Sequence, residues 1–175
     1  EPVDYSLEIP DSTTIMPNLK SLVCYLKQYQ RTGGFLLLKM NKKDTFKDRF
    51  GPASTEDLFK QLGALARASL RENDLIARVE DDVLGLFLPD TDMDAGTEFA
   101  NQLRHTIRHG SFRLHSNESE VMLTASLGYT FCGPTDTPDL VMSRALKTLK
   151  SSESRGRNQL FVHSGKSSPR CISSN

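Results

Sequence analysis

Two arginine and aspartate pairs share one spacing in this chain, Arg71-Glu72-Asn73-Asp74 and Arg78-Val79-Glu80-Asp81. A guanidinium carries forked N–H donors and a carboxylate carries two acceptor oxygens, so such a pair either closes on itself or turns outward to a ligand. From spacing alone, Arg71 and Asp74 read as a surface ion pair worth at most about 1 kcal/mol. The acidic run Glu80-Asp81-Asp82 has the oxygens a hard metal wants, but its position between two apolar stretches reads as a solvated hairpin turn. Asp90, Asp92 and Asp94 imitate a calcium loop, yet its glycine position is Ala95 and its twelfth residue is Asn101 rather than Glu. His105 and His109 lie four apart on a helical stretch without the glutamate of an HExxH site or a third ligand, so they read as surface histidines. Ser126 has no histidine base signature beside it and carries no nucleophile role. No metal and no other cofactor is expected.

The 175 residues, 37% of them hydrophobic and 25% charged, suffice for one buried core. Lysine plus arginine and aspartate plus glutamate number 22 each, so no global field draws the domain to nucleic acid or an anionic membrane. Cys24, Cys132 and Cys171 are odd in number and form no CxxC, which indicates neither a disulfide framework nor a zinc ribbon and fits a reducing, cytoplasmic setting. No uncharged apolar run approaches the ~20 residues of a membrane span. The start without methionine suggests a piece of a longer chain, whose absent segments could tether it to an inner membrane.

Apolar spacing predicts the elements that must position these groups. Leu19, Leu22, Val23 and Leu26 make a helix over 16–30, and Phe35 to Met40 make a short, fully apolar strand of central type. A core-facing helix follows over 54–70, then a hairpin of strands 74–79 and 83–88 around the acidic turn. A helix over 95–109, an antiparallel pair over 111–115 and 120–131, a helix over 138–150 and a strand over 159–162 complete the order. The expected fold is α+β, a mostly antiparallel central sheet flanked by helices. Residues 1–10 read as a linker, 11–163 as the domain, and the serine-rich 164–175 as a frayed, flexible tail.

The stretch Arg71-Glu-Asn-Asp74-Leu-Ile-Ala-Arg78-Val-Glu-Asp-Asp-Val-Leu84 resembles the signature of GGDEF domains, the diguanylate cyclase family, in which RxxD precedes a strand leading to R-x-G-G-D/E-E-F. Asp11-Ser-Thr-Thr-Ile-Met-Pro-Asn18 is similar to the family's opening D-x-L-T-x-L-x-N, and Thr124-Ala-Ser-Leu-Gly128 to its T-x-S-x-G strand. Ala145-Leu-Lys-Thr-Leu-Lys150 with Gly156-Arg-Asn158 resembles its closing A-L-x-x-A-K-x-x-G-R-N. The resemblance spans 11–163 and implies a nucleotidyl-cyclase palm-like fold.

Active members of that family condense two GTP into cyclic di-GMP with metal ions held by a first-strand Asp and the third residue of the GGDEF turn. Here the turn reads Glu80-Asp81-Asp82-Val83-Leu84, the first-strand position is Lys39, and the Asn after the family's F-K motif is Lys47. The guanine-contacting Asp is matched by Glu56, and three extra residues stretch the segment between Lys150 and Gly156. Acidic side chains replace the glycines that let main chain approach phosphate, and an ammonium cannot replace an oxygen ligand. The resemblance thus implies a degenerate, inactive cyclase. Arg71 and Asp74, with Glu72 and Asn73 between them, match the family's inhibitory product site, which clamps cyclic di-GMP, often as a stacked dimer. There a guanidinium pairs with guanine N7 and O6 or with phosphate, and a carboxylate accepts from N1 and N2. The second arginine of that site falls on Gln102, with Arg104 two residues on. The expected function is a cyclic di-GMP receptor that passes its occupancy to a neighbouring domain, a protein partner or a second copy, as receptors for exopolysaccharide secretion or motility do. The alternatives are a ligand-free GGDEF scaffold for dimerisation or docking, and a residual enzyme or GTP-binding regulator.

Overall fold

The computed structural model describes residues 14–173. The expected linker over 1–10 and the first residues of the Asp11–Asn18 motif lie outside it. The chain runs α1 (Ile15–Tyr29), β1 (Gly33–Met40), α2 (Lys43–Phe50), α3 (Pro52–Ala68), β2 (Leu75–Glu80), β3 (Val83–Leu88) and α4 (Met93–Arg108). It continues through β4 (Phe112–Arg113), β5 (Glu120–Val121), β6 (Ala125–Cys132), α5 (Pro138–Arg155), β7 (Gln159–His163) and β8 (Arg170–Cys171). Six strands form one sheet in the order β2-β3-β1-β6-β7-β8, and β4 pairs with β5 apart from it. Among the described residues of the main sheet only β6 and β7 run parallel, joined by the α5 crossover.

The uniformly apolar β1 is explained by cover on both faces. Phe35 and Leu37 pack with Leu19, Leu22 and Leu26 of α1 and Val141 and Ala145 of α5. Leu36, Leu38 and Met40 point the other way, onto Leu58 and Leu62 of α3 and Leu103 and Ile107 of α4. Pro52 opens α3, the Asp92 side chain caps α4 by accepting from the Ala95 N–H, and Thr137 followed by Pro138 opens α5. Tyr129 of β6 is fully buried, with its ring wedged between Gly34 and Gly96. A Cβ at either glycine would stand 2.0 or 1.8 Å from the phenol oxygen, so only glycine lets α4 and β1 close over that ring.

Three expectations need correction. Residues 43–50 form a helix that the apolar pattern does not announce, because none of its residues is buried. The strand expected over 120–131 is divided: Glu120–Val121 pairs with β4, and β6 begins only at Ala125. The tail is not frayed through residue 173. β8 pairs with β7, and the buried Ser173 Oγ accepts the Leu160 N–H at 2.9 Å, which anchors it.

Candidate functional site

The β2–β3 hairpin turns at Asp81-Asp82, with a bulge between Arg78 and Glu80 where the register shifts. Lys39 of β1 stands opposite Val83 on one side and Ser126 on the other, which puts it beside the acidic turn. Together they line an open cleft of about 620 Å³ with Lys43, Glu153 and Arg157. Its charges are largely paired with one another. Lys39 Nζ meets Glu153 Oε2 at 3.2 Å, and Lys43 Nζ meets Asp81 Oδ2 at 2.9 Å. Hydrogen bonding to Lys43 holds the Asp81 carboxyl below its usual range, and the same bond raises Lys43. Glu80 and Asp81 are exposed, whereas Val83 and Asp82 are buried. Burial pushes the Asp82 carboxyl up, and the charges of Lys39 and Lys43 offset that only in part.

Beside the cleft, Glu56 and Arg78 form a two-pronged pair, with Arg78 Nη1 and Nη2 each donating to a Glu56 oxygen at 2.7 Å. The pairing lowers the Glu56 pKa and raises that of Arg78. Arg78 also donates to the carbonyls of Glu80 and Asp81 and lies over the Phe59 ring, 4.5 Å from its centroid. The second RxxD spacing therefore does not close as a pair. Arg78 takes the main chain of Asp81, and the Asp81 carboxylate goes to Lys43.

Arg71 and Asp74 do close. Asp74 Oδ2 accepts from the Arg71 backbone N–H at 2.8 Å and from Nε at 3.1 Å, while Oδ1 accepts from Nη2 at 2.8 Å. Bonding to Asp74 raises the Arg71 pKa, so the guanidinium stays charged. Nη2 also donates to the Pro89 carbonyl at 2.8 Å and to Thr91 Oγ1 at 2.7 Å. The exposures are unequal: the Arg71 side chain is 57% accessible and that of Asp74 only 1%. The exposed surface pair expected from sequence is thus a half-buried one, because Asp74 caps its own turn and Arg71 lies over it. Glu72 and Asn73 are exposed at the crest of the turn.

Arg104 is not placed as the second arginine. It is buried on α4, and its guanidinium turns to Asn101 Oδ1 and the Asn158 carbonyl, away from solvent. Gln102 is exposed on the same helix and shares a shallow groove with Ser69, just before the RxxD turn.

Sequence reasoning missed the loop that receives Arg71. Asp90 within it adopts φ +52° and accepts from Tyr25 Oη at 2.7 and 2.9 Å and from Arg31 Nη1 at 3.3 Å. The Thr91 N–H donates to the Thr32 carbonyl at 3.0 Å. The only signal was Pro89-Asp90-Thr91 after a strand, which marks a turn but no partner.

Over 161 residues the chain is 30% identical to diguanylate cyclase DgcP of Pseudomonas aeruginosa, covering 88% of this chain and 24% of that one. It thus spans about a quarter of that relative's length. Its fold is similar to that of the GGDEF domain of DgcB from Caulobacter crescentus, solved in complex with c-di-GMP, with a TM-score of 0.83, 16% identity and coverage of 91% and 90%. It is equally similar to the isolated GGDEF domain of PA1120 (TpbB or YfiN) from Pseudomonas aeruginosa, with a TM-score of 0.84, 17% identity and coverage of 94% and 95%. The family described as diguanylate cyclase, GGDEF domain, matches residues 8–159, and the chain belongs to that family.

Proposed function

We propose that this GGDEF domain makes no cyclic di-GMP and instead receives it at Arg71, with Asp74 holding the guanidinium in place. The observation that carries the first half is the pairing within the cleft. Metal-dependent phosphoryl transfer needs oxygen ligands and main chain open to phosphate. The residues present do not fit the family's metal pair, since an ammonium, Lys39 Nζ, holds the first-strand position and is already bridged to Glu153. Glu80 and Asp81 set side chains and negative charge where a triphosphate would approach, and Glu56 spends both oxygens on Arg78.

The second half is supported by Arg71 itself, whose Nη1 carries no bond to a described residue while Asp74 fixes the plane of the guanidinium. Forked donation to guanine or phosphate suits that geometry, and charge-assisted bonds contribute about 1.5 to 3 kcal/mol each. Asp74 acts on this reading by orienting Arg71, since its own oxygens are covered. A ligand-free interaction module is the second reading, favoured by the closed Arg71–Asp74 pair and by Gln102 where another arginine would stand. Among the described residues no helix is long and apolar enough to cross a membrane.

Calorimetry with cyclic di-GMP and GTP, beside a chromatographic assay with GTP and magnesium or manganese, tests both halves. Heat with cyclic di-GMP that Arg71→Ala abolishes, with no product formed, is expected. Enzyme-dependent product defeats the first half, and no binding at high micromolar ligand leaves the interaction module.

A further inference from the structure

The bonds around Arg71 cannot all coexist with a ligand held in a fork across Nη1 and Nη2. Nη2 has two hydrogens. One points to Asp74 Oδ1, and the other is shared by the Pro89 carbonyl and Thr91 Oγ1. Paired donation across the outer edge of a guanidinium uses one hydrogen from each terminal nitrogen, so it takes the hydrogen that now serves the loop. That loop is also where the end of α1 is fastened. Asp90, between the two residues Arg71 holds, sits in the left-handed region at φ +52° and receives Tyr25 and Arg31, while Thr91 N–H bonds to Thr32 O. A non-glycine residue there is held by its surroundings, and this loop's surroundings are Arg71 on one side and α1 on the other.

We propose that Arg71 is a latch: unliganded, it holds the Pro89–Thr91 loop so that Asp90 fastens the last turn of α1, and a cyclic dinucleotide that takes Arg71 releases that turn. This rests on the reading of Arg71 as the ligand-binding residue and supplies the route by which occupancy leaves the site. α1 is the first element of the described residues, so a change in its fastening reaches the segment that leads into the domain. Linkage then requires reciprocity. Whatever weakens the latch strengthens ligand binding by the factor by which ligand weakens the latch.

Amide hydrogen exchange and calorimetry test it on the full chain. Saturation with cyclic di-GMP should speed exchange over residues 26–32 and 89–92 by about threefold to tenfold, the value of one ordinary hydrogen bond. Thr91→Val, which removes one acceptor of Arg71 and keeps the side-chain shape, should tighten binding by a similar factor. Asp90→Gly suits the positive φ and removes the fastening, so it should tighten binding by a similar factor, speed exchange at 26–32 without ligand, and abolish any further response to ligand. Binding with unchanged exchange at 26–32, or Thr91→Val weakening the affinity, overturns the latch. If the wild type binds no cyclic di-GMP, the receptor reading falls by itself, and unliganded Arg71→Ala decides the latch: it must speed exchange over 89–92 and 26–32, and unchanged exchange refutes it.

Discussion

Replacing Asp74 by alanine should cost more stability than replacing Arg71, although the arginine is the larger side chain and the one at the surface. The Asp74 carboxylate, 1% exposed, takes three N–H donors, one of them the Arg71 backbone amide that closes the turn into β2. Truncation orphans that amide and the two guanidinium bonds. The Arg71 side chain is 57% exposed and its guanidinium recovers water, so most of the loss is the turn, about 2 kcal/mol. Arg71→Ala instead opens the carboxylate to water, leaves the turn bond intact and gives up one shared hydrogen bond to the Pro89 carbonyl and Thr91 Oγ1, for about 1 kcal/mol. A domain of this size loses about 2 to 4 °C of Tm per kcal/mol, so thermal unfolding should show about 4 to 8 °C for Asp74→Ala and under about 4 °C for Arg71→Ala. Asp74→Asn, which still accepts from the backbone amide, should recover roughly half. An Asp74→Ala protein within about 1 °C of wild type, or one more stable than Arg71→Ala, would refute the argument. The same asymmetry makes Arg71→Ala the cleaner variant for binding, since lost affinity in Asp74→Ala is confounded with a loosened turn.

Arg78→Ala should destabilise by about 2 to 4 kcal/mol in urea titration, because it removes the fork to Glu56, two carbonyl bonds and the contact with Phe59; Arg78→Lys should restore less than half, and full rescue would mean that charge alone mattered. Tyr129→Phe should stabilise by about 1 kcal/mol, since the buried phenol oxygen has no partner among the described residues; destabilisation would reveal an ordered water at that oxygen. Burial raises the Asp82 pKa in the folded state, so the stability it withholds grows as pH climbs from the unfolded value of about 3.9 through the folded one. Asp82→Asn should therefore be the more stable protein at pH 7 and lose its advantage below about pH 3.5, whereas an advantage that persists in acid would point to shape rather than charge.

Where burial and period coincide, the elements were legible in the sequence. β1 reads as a central strand because both of its faces are covered, and α4 reads as a helix because Leu103 and Ile107 face the core. α2 was invisible for the opposite reason: Lys43 to Phe50 is mostly charged and touches the core only through Phe46 and Phe50. The positions of Lys39 and the acidic turn followed from a gapless alignment, and the strand register places them side by side. Partners separated widely along the chain were not legible. Arg78 finds Glu56 and Arg71 finds Thr91, and spacing carries no trace of either pairing. The burial of Asp74 was missed because a carboxylate at an element boundary reads as exposed, and only the turn geometry reveals that it caps the chain from beneath.

The short β8 has a consequence for self-association. Without Arg170–Ser173, the outer side of β7 would present the free N–H and carbonyl groups around Phe161 and Val162, an apolar strand ready to template another chain. These four residues suffice to blunt it, because Ile172 N–H closes on the Leu160 carbonyl, the Leu160 N–H closes on Ser173 Oγ, and Arg170 adds a charge that a second chain would have to bury. A truncation after His163, at the end of β7, would therefore keep Lys39, Asp82, Arg71 and Asp74 and still yield a protein that oligomerises through β7 as concentration rises.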